Sequence, residues 1–387
     1  MQVGTAGLKT AAATRADVSV RPLRVAFFSD AFPERNGTGA YYHDLLAQLT
    51  SKSVDVRIFQ PDPDIKRLFS MAMPGDANQR LVLPNALHIS REMRELAPQV
   101  VVVVTPGPFG LLGVYYARRI GATMIAAFHT DFEQLAKIYW NPVSRWIVNL
   151  VLRTANRIVC NRATRVLINN DGLRTDVYAL GARRTSVIGT PLPRRFLQQR
   201  LKPIPGRLTR VCFAGRLAPE KNIEKIIAAA VELPDIEFVV GGEGPLRKKL
   251  EAAAAGLKNI TFKGWLTRDQ LIDVIDESSL LLLPSKFETF GSVALEAMAR
   301  GRPALVSRSA GIQTWPTLRA GLFTLPEDMT LSQYLRSLDA LSAKAWEEKS
   351  AAASFAAEHL NNATIHQWES ILRRPEQQNA LVQHAGE

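Results

Sequence analysis

Cysteine is scarce: the chain of 387 residues has two, Cys160 and Cys212. Each stands among β-branched or aromatic neighbours, so both read as buried, reduced thiols. Two thiols exclude a disulfide framework and a multi-cysteine zinc site, which points to a reducing compartment. Long apolar runs are missing too. The best candidate, at 100–104, is cut by Thr105-Pro106-Gly107-Pro108, well short of the roughly 20 residues a membrane helix needs. Residues 1–21 lack the apolar segment of a secretory signal and are expected to be a disordered leader. These absences leave the cytoplasm, or the inner face of the cell membrane reached from the cytoplasm.

Acidic residues are missing from one stretch. From Lys137 to Arg210, fifteen Lys and Arg meet two acids, Asp171 and Asp176, and this accounts for the whole net charge of +12. So local a basic field either solubilises a surface or serves an anionic partner: a phosphorylated substrate, an acidic lipid surface or nucleic acid. No nucleic acid is expected, because the basic residues are not interleaved with aromatics and no recognised binding motif is present.

What is present is alternation. Short apolar runs predict strands at 23–28, 54–59, 100–104 and 123–128, with shorter candidates at 158–160 and 165–168, and a helix at 40–49. The pattern restarts at 210–214. Strands at 236–240, 260–262, 280–283 and 304–307 then alternate with helices at 222–231, 245–254, 268–275 and 292–300. Further helices are expected at 343–358 and 362–372. Continuous β-branched runs suit parallel strands buried on both faces. Strand–helix alternation in both halves predicts an α/β chain of two Rossmann-like domains, with parallel sheets facing across a cleft. The expected units are 22–192, a Pro-rich linker at 193–207, 208–355, and 356–387, a C-terminal helix returning to the first domain plus a loose tail. Ligands in such sheets bind at the carboxyl ends of the strands.

The densest motif runs from Pro284 to Pro303. A buried strand ends at Pro284 and a helix begins near Ser292. The amides of Phe290, Gly291 and Ser292 then open a helix, a setting that suits a phosphate. Glu288 lies in the loop before it. Glu296 lies one turn in, where a carboxylate either accepts hydrogen bonds from a ribose diol or complements the helix dipole.

Strand, Pro-Ser, Glu288, Phe-Gly and then Glu296, eight positions after the first glutamate, resemble the retaining GT-B glycosyltransferases of family 4 (glycosyl transferases group 1). The resemblance implies that Glu288 contacts the transferred sugar and Glu296 holds the ribose. The segment from Phe213 to Asn222 resembles the one in which an Arg and a Lys grip the diphosphate, here Arg216 and Lys221. The chemistry is sound on its own, since a departing diphosphate gains charge that fixed cations stabilise. The turn from Val239 to Leu246 resembles the family's Gly-x-Gly-Pro turn, whose glycines shape the backbone. The loop from Ser29 to Gly39 resembles its first glycine-rich loop, where Gly37 and Gly39 let backbone approach the donor. A second cleft-lining segment is matched by Thr105–Leu112, and the strand-end His129 by a histidine that approaches the donor sugar. Trp265 is a candidate for contact with the base. The family uses no metal, so no cofactor is expected beyond the nucleotide-sugar co-substrate, and Asp62-Pro63-Asp64 is not a metal site. The first domain would take the acceptor and the second the donor.

The resemblance covers about residues 23 to 311. Asn169-Asn170 stands where the family often has Pro-Ser, Gly189 to Pro193 replaces its usual linker, and Ile312 to Pro316 departs from its usual continuation. His129-Thr130-Asp131-Phe132 with Tyr139 is most similar to the branch that glycosylates membrane lipids, the diacylglycerol glycosyltransferases and phosphatidylinositol mannosyltransferases. Independently, an expected helix over 142–157 carries an apolar stripe of Trp146, Ile147, Leu150 and Val151. Arg145, Arg153 and Arg157 flank it, and Tyr139 and Trp140 precede it. Such a helix lies on an anionic membrane surface or packs on its own sheet. The implied reaction is retaining, metal-independent transfer of a hexose from a UDP-sugar to a lipid acceptor such as diacylglycerol. Two other readings stand beside it: the same fold acting on a lipopolysaccharide or exopolysaccharide acceptor, and a non-enzymatic basic nucleic-acid-binding protein.

Overall fold

A computed structural model describes residues 22–32, 37–49, 54–61, 70–73, 76–129 and 142–374. The first sheet contains β1 (Leu23–Phe28), β2 (Val54–Phe59), β5 (Val100–Val103), β6 (Thr123–Phe128), β7 (Arg165–Ile168) and β8 (Thr185–Val187), in the order β2-β1-β5-β6-β7-β8. A separate antiparallel pair, β3 (Ser70–Met73) and β4 (Asp76–Val82), precedes β5. The second sheet repeats the scheme with β9 (Arg210–Ala214), β10 (Glu237–Gly241), β11 (Ile260–Gly264), β12 (Leu280–Leu283), β13 (Ala304–Ser307) and β14 (Leu322–Leu325), ordered β11-β10-β9-β12-β13-β14. Every pairing in both six-stranded sheets is parallel. Each chain path therefore reverses beside its first strand, between β1 and β5 and between β9 and β12. A crevice opens at such a reversal. The four valines of β5 and the four leucines of β12 are wholly buried, as parallel strands covered on both faces must be.

In the first half the helices are α1 (Gly37–Leu49), α2 (Ala86–Leu96), α3 (Pro108–Ile120), α4 (Pro142–Arg162) and α5 (Arg174–Ala179). The rest are α6 (Arg194–Gln198), α7 (Glu224–Glu232), α8 (Arg247–Ala253), α9 (Arg268–Asp276), α10 (Ser292–Ala299), α11 (Leu331–Asp339) and α12 (Ala343–Arg373). Capping boxes start two of them, Thr267 with Gln270 at α9 and Thr330 with Gln333 at α11, each satisfying two otherwise unpaired amides.

Two expected elements differ. Residues 158–160 are not a strand but the last turns of α4, which bury Val159 and Cys160. Their β-branched character is a weak preference that packing overrides. The expected break after 358 is absent: α12 is one helix of 31 residues. The polar residues that suggested a break are used by the fold, with Asn361 buried and its Oδ1 accepting from the Leu192 amide at 2.8 Å. Trp346, Ala353 and Leu360 of α12 join the core of the second sheet, while Ile365, Trp368, Ile371 and Leu372 join a core of the first. This helix is a strut built into both domains.

The Pro-rich stretch at 193–207 contains α6 and is fastened to the second domain. Arg300, ion-paired to Asp276 at 2.8 Å, donates to the carbonyls of Phe196, Gln199 and Arg200. Arg302 donates to those of Lys202 and Pro203. Both guanidiniums are buried and are supplied with acceptors by the chain they hold, which is what makes burying them tolerable. Gly189 lies against α12, where a Cβ would come 2.1 Å from Thr364 Oγ1. Among the described residues no helix is long and apolar enough to cross a membrane.

Candidate active site

The second domain builds its half of the site from the loop between β12 and α10. Gly291 caps α10 with φ 103°, a conformation that favours glycine. A Cβ there would also press on Leu283 Cδ2 at 2.8 Å. Its N-cap, Gly291, brings no side chain to the first amides of the helix, and such an end suits an anion; Phe290 is buried and Ser292 partly so. The loop is held from two sides. The Lys286 amide donates to the Glu220 carbonyl at 2.8 Å, and the Gly311 and Ile312 amides donate to the carbonyls of Glu288 and Phe290. Gly311 has to be glycine, since a Cβ would sit 1.9 Å from the Thr289 carbonyl oxygen.

Two of the expected cation positions meet this loop. Lys221 makes an ion pair with Glu288, both side chains largely buried. Arg216 lies 3.9 Å from Glu220, a buried carboxylate that the sequence reading passed over because one acid in a loop gives no pattern. Arg216, Glu220, Lys221 and Glu288 thus form one block of alternating charge. The glycine turn beyond β10 packs on it: a Cβ at Gly242 would strike the Gly215 carbonyl at 1.8 Å.

Glu296 is half-buried one turn into α10. Burial pushes its carboxyl up to about 7, Arg268 opposes this, and Asp44 adds to it. Those two residues come from opposite sides of the cleft. Arg268 of α9 grips Asp44 of α1 through both guanidinium arms, at 2.6 and 2.9 Å. Trp265, the candidate base contact, is 57% exposed just after β11, and Arg268, three residues on, acts on Glu296 through its charge.

The first domain contributes a different group. His129, at the end of β6, is buried, and burial lowers its pKa to about 4, so the ring is neutral. Its Nε2 lies 2.8 Å from Tyr42 Oη, and the Tyr41 ring packs against it at a tilt of 38° with ring centroids 4.8 Å apart. Tyr41 Oη in turn donates to the Gly189 carbonyl and accepts from Trp368 Nε1. His129 lines a small recess with Thr38, Thr105 and Asn156. Gly37 opens α1 and, among the described residues, no atom lies within 4 Å of a Cβ built on it; Gly39 is buried two residues on. Asp30, also absent from the sequence reading, caps α3: its carboxylate accepts from the Phe109 amide at 2.9 Å and from Thr105 Oγ1 at 2.6 Å. The clue was a helix opening on Gly107-Pro108 with no capping side chain of its own.

The departures from the family pattern join the halves. Asn170 Nδ2 donates to the Thr289 carbonyl at 2.7 Å, and Trp315 Nε1 donates to the Asn169 carbonyl at 3.0 Å. The loop that carries Glu288 is therefore tied to the first domain directly. Of the expected membrane-surface residues, Trp146, Arg153 and Arg157 are exposed on α4 and Arg145 is partly so. Trp140, like Tyr139 and Asp62 to Asp64, lies outside the described residues.

Residues 35–193 match the sequence profile of Glycosyltransferase Family 4, and residues 196–315 that of Glycosyl transferases group 1. A sulfoquinovosyl transferase of Arabidopsis thaliana is 24% identical over 76% of this chain and 61% of its own length, so the matched part spans about six-tenths of that relative. A GDP-mannose-dependent alpha-(1-6)-phosphatidylinositol dimannoside mannosyltransferase of Mycobacterium tuberculosis is 38% identical over 28% of this chain and 29% of its own. Among solved structures, a sucrose-phosphate synthase of Thermosynechococcus elongatus superposes with a TM-score of 0.72, covering 91% of this chain and 99% of that one at 15% identity.

Proposed function

We propose, from the premise that this chain is a GT-B glycosyltransferase of the family 4 and group 1 type, that it moves a hexose from a nucleoside diphosphate sugar, a UDP-hexose first, to the hydroxyl of a membrane lipid such as diacylglycerol. The observation that carries the lipid acceptor is α4. Trp146, Ile147, Leu150 and Val151 are each more than half exposed on it, with Arg153 and Arg157 exposed among them. Clustered exposed apolar side chains ringed by cations mark an interaction surface, and an anionic bilayer answers both features. The same helix reaches the His129 recess through Asn156. The mannosyltransferase named above, whose name includes a phosphatidylinositol dimannoside, supports the same class of acceptor.

In this reading the diphosphate sits at the start of α10, against Arg216 and Lys221, and Glu296 receives the ribose hydroxyls. Lys221 exchanges its contact with Glu288 for the phosphate, which turns Glu288 toward the sugar. The bond from the anomeric carbon to the phosphate oxygen breaks, and the acceptor oxygen bonds to that carbon from the same face. The acceptor proton passes to the departing phosphate. Fixed cations and helix amides stabilise the charge that develops on the leaving group, and configuration is retained with no divalent ion in the step. The protein would work on the cytoplasmic side of the membrane, bound at its surface.

The test uses purified protein, anionic liposomes containing diacylglycerol, and a panel of UDP- and GDP-sugars. Nucleoside diphosphate release and lipid product are followed together, with flotation to measure vesicle binding. A new glycolipid with matching diphosphate release is the expected outcome. Diphosphate release with a lipopolysaccharide or soluble glycoside acceptor alone would move the acceptor class. No release with any donor, combined with salt-sensitive binding to DNA or RNA, would overturn the reading.

A further inference from the structure

A narrow strip of α4 belongs neither to the core nor to the exposed apolar face. Asn149 and Asn156 are two helical turns apart, roughly 10 Å along the axis, so their amides fall on one line. The line runs between exposed Trp146 and Leu150 on one side and buried Ala155 and Val159 on the other. Asn156 lines the recess that holds His129. Among the described residues, two polar atoms of these elements are shielded from solvent and have no hydrogen-bond partner: Nδ1 of His129, in the recess, and Oδ1 of Asn149, on the strip. Unpaired buried polar atoms are costly and native proteins keep few of them. In a recess, as at His129, such an atom marks a place where a ligand completes the bonding, and Asn149 lies on the line that leads from there along α4. The groups are also of one chemical kind. Tyr42 Oη can donate to His129 Nε2, which leaves the ring proton on Nδ1. An imidazole N–H and two carboxamides carry no charge and offer both donors and acceptors, which suits hydroxyl groups and not a phosphate.

We propose that Asn149 and Asn156 form a polar track that binds the hydroxyl-bearing, uncharged head group of the acceptor and leads its attacking hydroxyl from the membrane-facing side of α4 to the His129 recess. This rests on the functional reading above for the acceptor being a lipid, but not for its being a hydroxyl compound. The geometry explains why one helix carries both surfaces: the apolar face sets the depth of the protein on the bilayer, and the track one strip away fixes where the head group leaves it.

The experiment compares wild type with Asn149→Ala, Asn156→Ala and the double variant in the liposome assay. Acceptor KM, donor KM and vesicle binding are measured on each, with thermal melting as the check on folding. Each amide is expected to raise acceptor KM roughly three- to ten-fold, the size of a neutral hydrogen bond, with donor KM and vesicle binding unchanged. Asn156→Asp, which puts a charge on the track, is expected to raise acceptor KM further. Unchanged acceptor KM in the double variant overturns the track, as does a donor KM that rises in step. If wild type makes no glycolipid but glycosylates a soluble sugar, the lipid reading falls, and the same KM comparison on that sugar still decides the track.

Discussion

Glu296 is the residue whose charge state controls the most. Its carboxyl is raised to about 7, while ribose hydroxyls donate to the ionised form. Donor binding must therefore deprotonate it, and each pH unit below 7 weakens binding by up to ten-fold. Donor KM is expected to fall about ten-fold between pH 6 and pH 8 and then level, and Glu296→Gln should flatten that profile at a high KM. His129, at about 4, stays neutral over this range and adds nothing to it. The sign for stability is opposite. A carboxyl that titrates higher in the folded chain than the ordinary 4.5 binds more protons folded than unfolded, so its contribution to stability is lost as pH rises from 4.5 to 7. Glu296→Gln should melt above wild type at pH 8 while binding donor worse; a melting point at or below wild type would remove burial as the cause. Glu296 and Glu288 were legible because their spacing brackets a helix start. Asp44 and Arg268 were not, because the fold assembles them from segments 224 positions apart, and Glu220 was not because one acid in a loop gives no pattern even with its partner Arg216 four positions away.

At the scale of elements, α4 was legible as a helix from its stripe, yet its end read as a strand. Ile158, Val159 and Cys160 favour strands, but the helix is settled by what it buries, and Val159 and Cys160 enter the core of the first sheet. The stripe could not say which way it faces. Either orientation satisfies a helical period, and only the packed structure turns Trp146 and Leu150 outward. Because these side chains contact so little of the fold, Trp146→Ser with Leu150→Ser should change stability by no more than about 0.5 kcal/mol. Flotation with anionic liposomes should nevertheless drop at least ten-fold, since the lost area is what enters the bilayer. Undiminished flotation would assign the stripe to another partner. The long helix α12 shows the reverse failure. Its polar middle suggested a break, because a sequence cannot show that Asn361 has a backbone amide from another domain to bind.

At the scale of the whole molecule, the two sheets were legible from alternation alone, but their mutual placement was not. Among the described residues it rests on α12 and on polar ties that include Asp44 with Arg268, Asn170 with the Thr289 carbonyl, and Trp315 with the Asn169 carbonyl. The first tie makes closure measurable through chemistry. Asp44 lies on the first domain, yet its charge raises the carboxyl of Glu296 on the second, while Arg268 lowers it. Replacing Asp44 with Asn removes the repulsion and leaves the Arg268 charge unopposed by that carboxylate. The midpoint of the donor KM profile should then shift to lower pH. Replacing Arg268 with Gln leaves Asp44 and Glu296 without the cation between them, and the midpoint should shift to higher pH. Opposite shifts from residues on opposite domains require the closed arrangement to exist in solution when donor binds. If neither replacement moves the midpoint, the cleft is open at that stage, and the pairing of Asp44 with Arg268 belongs to another step of the cycle.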